Sequence, residues 1–395
     1  MSLAVSQRIQ RVKPSPTMAV TAMAAELRAQ GRDVIDLGAG EPDFDTPEHI
    51  KEAAIAAIRA GKTKYTQVEG TPELKAAIIA KFRRDNNLEY NAGEVLVSSG
   101  AKQSCYNLCI AVLNPGDEAI VPAPYWVSYP DMVKLAEAEP VIVSASMEDG
   151  FKITPRALEA AITPATRLVF LNSPSNPSGA AYTRAELVAL GAVLAEHPGI
   201  IIAADDMYEH IYWANEPFTS FADACPALRD RTITINGVSK VYAMTGWRIG
   251  YAAGPASIIG AMKKLQGQST SNACSISQAA SVAALNGPQD CVTTMNKAFR
   301  ERHDYVVAAL NELPGVSCLP SAGTFYAFPN VTEAMRLTGH KDDISLSEAL
   351  LQQGNVAVVP GSAFGAPGHI RLSYACGLDT LKEAMARMRK VLTQA

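Results

Sequence analysis

The residues of this chain best suited to chemistry follow short apolar runs. Gly100-Ala101-Lys102 follows one such run, Tyr125 and Trp126 the next, and Asn172 through Gly179 a third, with Asn176 between two prolines. Asp205-Asp206-Met207-Tyr208 follows a fourth and Gly237-Val238-Ser239-Lys240 a fifth. In open α/β sheets the ligand crevice lies outside the carboxyl ends of the strands. If the runs are strands, small residues, an aromatic ring, an amide, an acid, a phenol and a lysine all converge on one crevice. That inventory suits pyridoxal 5'-phosphate, which needs a lysine for a Schiff base, an acid to keep its pyridine nitrogen protonated and a cradle for its phosphate. Lys240 supplies the lysine, and Asp205 and Asp206 compete for the acid. The backbone N–H groups of Gly100, Ala101 and Lys102, at the positive end of a helix, suit the cradle. Arg248, eight residues after the lysine, suits the phosphate oxygens. Trp126, an aromatic after a strand end, suits stacking on the pyridine ring.

The elements that must position these groups are legible in the hydrophobic pattern. Strands are expected over Glu94–Ser99, Ala119–Val121, Arg167–Leu171, Gly199–Ala204, Thr232–Ile235 and Ile249–Ala253. Several are continuously apolar, as strands buried on both faces of a mostly parallel sheet must be. Cys105, Leu108, Cys109 and Val112 recur at helical spacing, so an amphipathic helix begins near Lys102. Strands alternating with helices predict an α/β domain over the middle of the chain. Towards the C-terminus, strands at Ala322–Phe328, Val356–Val359 and His369–Tyr374, with helices near Ser345–Gln353 and Leu378–Leu392, predict a smaller α+β domain joined by N-terminal residues through Gly40.

Composition narrows the class. The chain has 395 residues, 48% hydrophobic and 19% charged, which is ordinary for a globular protein and excludes a wholly disordered one. Lys and Arg number 35 against 39 Asp and Glu, a net charge of -4 that offers no footprint for nucleic acid or an anionic membrane. Seven scattered cysteines without a Cys-x-x-Cys pair suit reduced thiols in a cytoplasm. The segment Met1 to Lys13 has no apolar core of a secretory signal. The charge-free stretch between Lys264 and Asp290 is too polar for a membrane span and suggests burial against other protein, such as a second subunit. The six histidines are dispersed without ligand spacing, so no metal is expected. Gly38-Ala39-Gly40 begins like a dinucleotide loop, but Asp43 stands where a third glycine should be.

The run Ser239-Lys240, Gly246-Trp247-Arg248 and Gly250 resembles the lysine signature of class I/II aminotransferases of fold type I. The resemblance covers nearly the whole chain, through Ala39–Pro47, Lys64-Tyr65, Pro124–Trp126, Asn172–Gly179, Asp205-x-x-Tyr208 and Arg371–Tyr374, and is nearest the bacterial aspartate aminotransferases. One departure is Gly237, where some members place a phosphate-binding serine; phosphate binding then leans on the cradle, Arg248 and Ser239.

The resemblance implies a large domain with a mostly parallel seven-stranded sheet sandwiched by helices, plus a smaller α+β domain. The expected division is 1–45 for the arm and part of the small domain, 46–300 for the large domain and 301–395 for the small domain. By the same resemblance, Lys240 carries pyridoxal phosphate and acts as general base, and Asp205 rather than Asp206 holds the pyridinium. Tyr208 and Asn176 bond the cofactor's phenolic oxygen, and Asn176, Arg371 and the Gly40 N–H hold the substrate α-carboxylate. Lys102 reaches the distal carboxylate of an acidic substrate, with Lys13 the next residue to examine. Tyr65 reaches the phosphate of a partner subunit in a homodimer with shared sites. The implied reaction is ping-pong amino transfer from an acidic L-amino acid, foremost L-aspartate, to 2-oxoglutarate. Aromatic or prephenate-type keto acids, or lyase chemistry on the same cofactor, are the alternatives. A regulatory relative would need an appended DNA-binding segment, for which the short N-terminus leaves no room.

Overall fold

The computed structural model describes residues 4–12, 14 and 16–393, so Lys13 lies outside the described residues. A two-residue strand, β1 (Ile35–Asp36), precedes seven strands that form the central sheet. These are β2 (Val95–Ser98), β3 (Glu118–Ala123), β4 (Glu139–Ser144), β5 (Thr166–Asn172), β6 (Ile201–Asp205), β7 (Thr232–Gly237) and β8 (Gly250–Ala253), in the spatial order β2-β8-β7-β6-β5-β3-β4. The sheet is parallel except for β8, which runs antiparallel to both β2 and β7. Side chains alternate across its faces, as strand geometry requires. Val95, Val97, Tyr251 and Ala253 pack into one core with the helices Pro72–Asn86 and Ser275–Asn286. Leu96 and Ala252 enter the opposite core with Cys105, Leu108 and Cys109 of the helix Ala101–Val112. β4 is the strand the sequence reading did not expect: its Val141-Ile142-Val143 run is short, follows Pro140 and lies half-exposed at the sheet edge.

The rest of the chain adds β9 (Tyr326–Ala327), β10 (Val356–Ala357), β11 (Val359–Pro360) and β12 (Ile370–Ser373). Strands β11, β12 and β9 form an antiparallel sheet in that order, and β1 pairs in parallel with β10. The N-terminal segment that carries Gly40 is thereby tied to the C-terminal third. The helix Asp290–Asn311 runs unbroken across position 300. Among the described residues, no helix is long and apolar enough to cross a membrane.

The uncharged stretch after Lys264 is buried in good part within this same chain. Gln266 donates to the carbonyls of Val68 and Val97 and accepts from Ser98 and Asn107. Gln278 accepts from the Thr71 N–H at 2.8 Å and donates to Thr66 and Ala273. Buried amides find partners, and these two spend their bonding capacity on the loop that carries Tyr65 and on β2. The stretch is therefore internal glue to a greater extent than its lack of charge suggests.

Gly250 permits the close approach of β8 to the start of the helix Ala101–Val112, since a Cβ there would lie 2.1 Å from the Ala101 nitrogen. Gly250→Ala is expected to cost about 1–3 kcal/mol through overpacking. Gly260→Ala, on an exposed helical position with nothing within 4 Å, should be neutral or stabilising by up to about 1 kcal/mol. Urea denaturation of the two variants checks the contrast.

Candidate active site

Parallel pairing sets the strand ends side by side: Asn172 of β5 is opposite Asp205 of β6, which is opposite Ile235 of β7. The Asn172 amide then fixes the next loop, donating to the Asp205 carbonyl and accepting from the Asn176 N–H, both at 2.9 Å. A cavity of about 260 Å³ opens over these ends. Gly40, Ala101, Lys102, Trp126, Asn176, Asp205, Tyr208, Ser239, Lys240, Arg248 and Arg371 all line it. Gly100 stands immediately beneath, in contact with Arg248. Tyr65 is the candidate that does not reach this cavity; it is 92% exposed in the loop before the helix Pro72–Asn86.

Asp205 is buried, with Oδ2 accepting from the Tyr129 hydroxyl at 2.5 Å and Oδ1 from the Met207 N–H at 3.2 Å. Burial pushes its carboxyl above the usual range, and the two hydrogen bonds pull the other way. Asp206, the rival acid, is also buried but does not line the cavity, and its Oδ2 has no hydrogen-bond partner. Lys240 Nζ donates to the Gly40 carbonyl. Burial, together with Arg371, Arg248 and Lys102, outweighs the opposing charge of Glu41 and pulls the lysine down to about 8.

Arg371 on β12 is 2% exposed and crosses from the C-terminal sheet into the cavity. Its two Nη atoms donate to Asn176 Oδ1 at 3.0 Å and the Gly38 carbonyl at 2.7 Å, which leaves Nε buried without a partner. The guanidinium stands over the rings of Tyr326 and Phe364 at 4.4 and 5.0 Å from their centroids. Lys102 lies at the rim with its Nζ 5.0 Å from the Trp126 ring centroid. Partial burial and the neighbouring Arg248 lower its pKa.

Two backbone positions explain the glycines. Gly100 has φ +87°, and a Cβ there would lie 2.2 Å from Arg248 Nη2, so only glycine admits the guanidinium across the helix start. A Cβ at Gly237 already lies 3.0 Å from both the Ile249 carbonyl and the Met207 methyl. A serine would have to displace β8 or Met207, which accounts for the departure noted in the sequence.

The donor set fits pyridoxal phosphate. A buried arginine Nε waits for an anionic acceptor, a glycine helix start faces an arginine, and a buried carboxylate has no cationic partner among the described residues. Several cavity residues escaped the sequence reading, Val127, Thr245, Tyr129 and Tyr326 among them. Tyr129 sits three residues after Trp126, but its bond to Asp205 crosses 76 positions of sequence. Tyr326, which bonds Tyr208 at 3.2 Å and underlies Arg371, sits on a short strand whose apolar neighbours made it look like core.

Residues 32–388 match the family model for aminotransferase class I and II. The chain is 56% identical over 98% of its length to the whole of an aspartate/prephenate aminotransferase of Nitrosomonas europaea. It is 48% identical to the aspartate aminotransferase of Bacillus subtilis, covering 98% of both chains. Among solved structures, the aspartate aminotransferase of Rhizobium meliloti superposes with a TM-score of 0.95 at 48% identity, over 99% of each chain. The Thermus thermophilus aspartate aminotransferase with maleate gives 0.93 at 42% identity, over 99% of this chain and 100% of that one. The chain belongs to the class I and II aminotransferase family, with the fold type I architecture. It is a pyridoxal-phosphate-dependent transaminase whose substrates are amino acids and 2-oxo acids.

The lowered pKa of Lys240 makes a pH prediction with a definite sign. The neutral amine is the nucleophile, and desolvation with nearby cations favours it. Capture of pyridoxal phosphate by the apoenzyme should therefore accelerate as pH rises to about 8 and then level off. A rate still climbing towards the ordinary lysine value would contradict the assigned environment.

Proposed function

We propose that this transaminase moves the amino group of L-aspartate to 2-oxoglutarate, with Lys240, Asp205 and Arg371 at its centre. The observation that carries the reading is the buried Arg371, its Nε unpaired, in the same cavity as Lys240 and Asp205. When bound, pyridoxal phosphate supplies an aldehyde that condenses with amines and a protonated ring that accepts the electrons left at the substrate Cα.

The protein's groups do the rest. Lys240 Nζ would anchor the cofactor and, as a free amine, would take the substrate Cα proton as general base. Burial suits it to that task, because a lysine near 8 has an accessible neutral form. Asp205 keeps the proton on the ring nitrogen, and Tyr129 holds its carboxylate in one orientation. Tyr208 and Asn176 bond the phenolic oxygen. The N–H groups of Gly100, Ala101 and Lys102, with Ser239 and Arg248, take the phosphate, and Trp126 stacks on the ring. Arg371, Asn176 and the Gly40 N–H clamp the α-carboxylate. A second, oxo-acid substrate reverses the sequence, so the kinetics are ping-pong.

Lys102 is assigned the distal carboxylate. Its ammonium stands over Trp126, the ring proposed to stack on the cofactor, which supports a reach towards the substrate's far end. The relatives named for both aspartate and prephenate, including the Nitrosomonas europaea enzyme, support prephenate as a second acceptor. We also infer a homodimer with shared sites. In support, Tyr65 projects from a loop anchored by Gln278 and Ser275, while Arg248 is exposed with one internal hydrogen bond. The division 1–45, 46–300 and 301–395 is retained as a proposal, with the helix Asp290–Asn311 as the bridge. All seven cysteines are free, which supports a reducing, cytoplasmic setting.

Half-reactions test the function. L-aspartate should bleach the bound-cofactor absorption of the holoenzyme, and 2-oxoglutarate should restore it. Pyruvate or ammonia formed without any oxo acid would point instead to a lyase. Losing one partner of a desolvated charge pair costs about 2 kcal/mol or more. Lys102→Ala should then lower kcat/KM for aspartate by roughly 30-fold. Alanine, with no distal charge, should lose far less; equal losses would remove Lys102 from substrate selection.

A further inference from the structure

Behind the cavity lies a buried charge cluster that the roles above leave unused. Lys81 on the helix Pro72–Asn86 and Glu209, in the turn after β6, are 1% and 6% exposed and form an ion pair. Glu209 directly follows Tyr208. Its Oε2 accepts from Asn86 Nδ2 at 2.6 Å and its Oε1 from Asn236 Nδ2 at 2.8 Å. Lys81 donates in addition to Asn86 Oδ1 at 2.6 Å. Asn236 lies near the end of β7, and its Oδ1 accepts the Gly237 N–H at 2.7 Å, where the chain turns towards Lys240. One carboxylate is thus bonded to a helix and to the strand that leads to Lys240, from the turn that follows Asp205 and bears Tyr208.

We propose that Lys81 and Glu209 are positioning residues for the transamination site: their pair fixes the turn after β6 against β7, and so sets where Asp205 and Tyr208 stand relative to Lys240. The inference rests on the roles proposed above for those three residues. Stability gives no account of the pair, because desolvating two charges costs about what their attraction returns. A fixed geometry does account for it, since every oxygen of Glu209 is tied to a named donor. The charges agree with this. Burial alone would push Glu209 up, but Lys81, His210 and Asn86 hold it below the usual range. Burial and the charge of Glu209 then keep Asp206 well above the carboxylate range. Glu209 thus disfavours charge on Asp206, whereas Asp205, with no acidic neighbour raising it, is the acid that lines the cavity.

The test uses holoenzyme carrying Glu209→Gln, Lys81→Met or both, with folding confirmed by circular dichroism. The readouts are the pH midpoint of the bound-cofactor absorption and the separate kcat and KM for aspartate. We expect both single variants to displace the midpoint in the same direction and to lower kcat about tenfold or more. KM should stay within about twofold, and the double variant should not recover. A through-space charge effect would instead move the midpoint in opposite directions in the two single variants and cancel in the double; that result overturns the proposal. Folded variants with wild-type midpoint and kcat but a lower Tm overturn it too, leaving the pair a structural one. Should Glu209→Gln fail to fold, Asn236→Ala cuts one bond to Glu209 without stranding a charge, and a smaller displacement of the same sign is expected; a wild-type midpoint and kcat would overturn the proposal. If the wild-type enzyme itself retains no absorbing cofactor, the site roles fail rather than this inference.

Discussion

A buried carboxylate with no cation beside it among the described residues is the constraint around which this molecule is arranged. Asp205 ends β6 inside the protein, held by one phenol and one backbone N–H. An unpaired buried ion costs several kcal/mol even after relaxation, and hydrogen bonds to a charged group return roughly 1.5–3 kcal/mol each. The two bonds leave a site that favours a positive charge arriving from the cavity. In the proposed site a protonated pyridine ring would meet that need, so that binding the cofactor would also complete the protein's electrostatics.

Sheet topology delivers the other groups to the same place. Because β5, β6 and β7 are parallel neighbours, the amide loop, the acid and the lysine leave the sheet on one edge. β8 reverses direction and passes close to the start of the helix Ala101–Val112, bringing Arg248 across Gly100. Arg371 and Tyr326 enter from the C-terminal sheet, and β1 ties the Gly40 segment to that same part. The proposed substrate clamp and the proposed cofactor platform thus sit on different sheets. Asn176 bridges them through its 3.0 Å bond to Arg371.

What the sequence disclosed follows from which signals are local. The apolar runs of β2, β5 and β6, the Thr-Ile alternation of β7 and the helical spacing of Cys105, Leu108 and Cys109 identified the central sheet and one of its helices. The small, polar and charged residues after those runs located the cavity. The edge strand β4 was missed because its Val141-Ile142-Val143 run is short and directly follows Pro140. Tyr129 and Tyr326 were missed because their partners, Asp205 and Arg371, are distant in sequence and a buried tyrosine looks the same in a core. The charge-free stretch was legible as buried, but only the fold places Gln266 and Gln278 against this chain's own loops. Tyr65 stands outside the cavity of its own chain, so the role proposed for it rests on the proposed second subunit, which a single sequence does not display.

The central claim is that Lys240 holds the cofactor at the end of β7, facing Asp205. Borohydride reduction of the holoenzyme, followed by peptide mapping, tests it most directly, because reduction fixes the cofactor to whichever lysine carries it. The account predicts one modified peptide, containing Lys240. Modification at Lys102, at Lys81 or at any surface lysine, with Lys240 free, would contradict it.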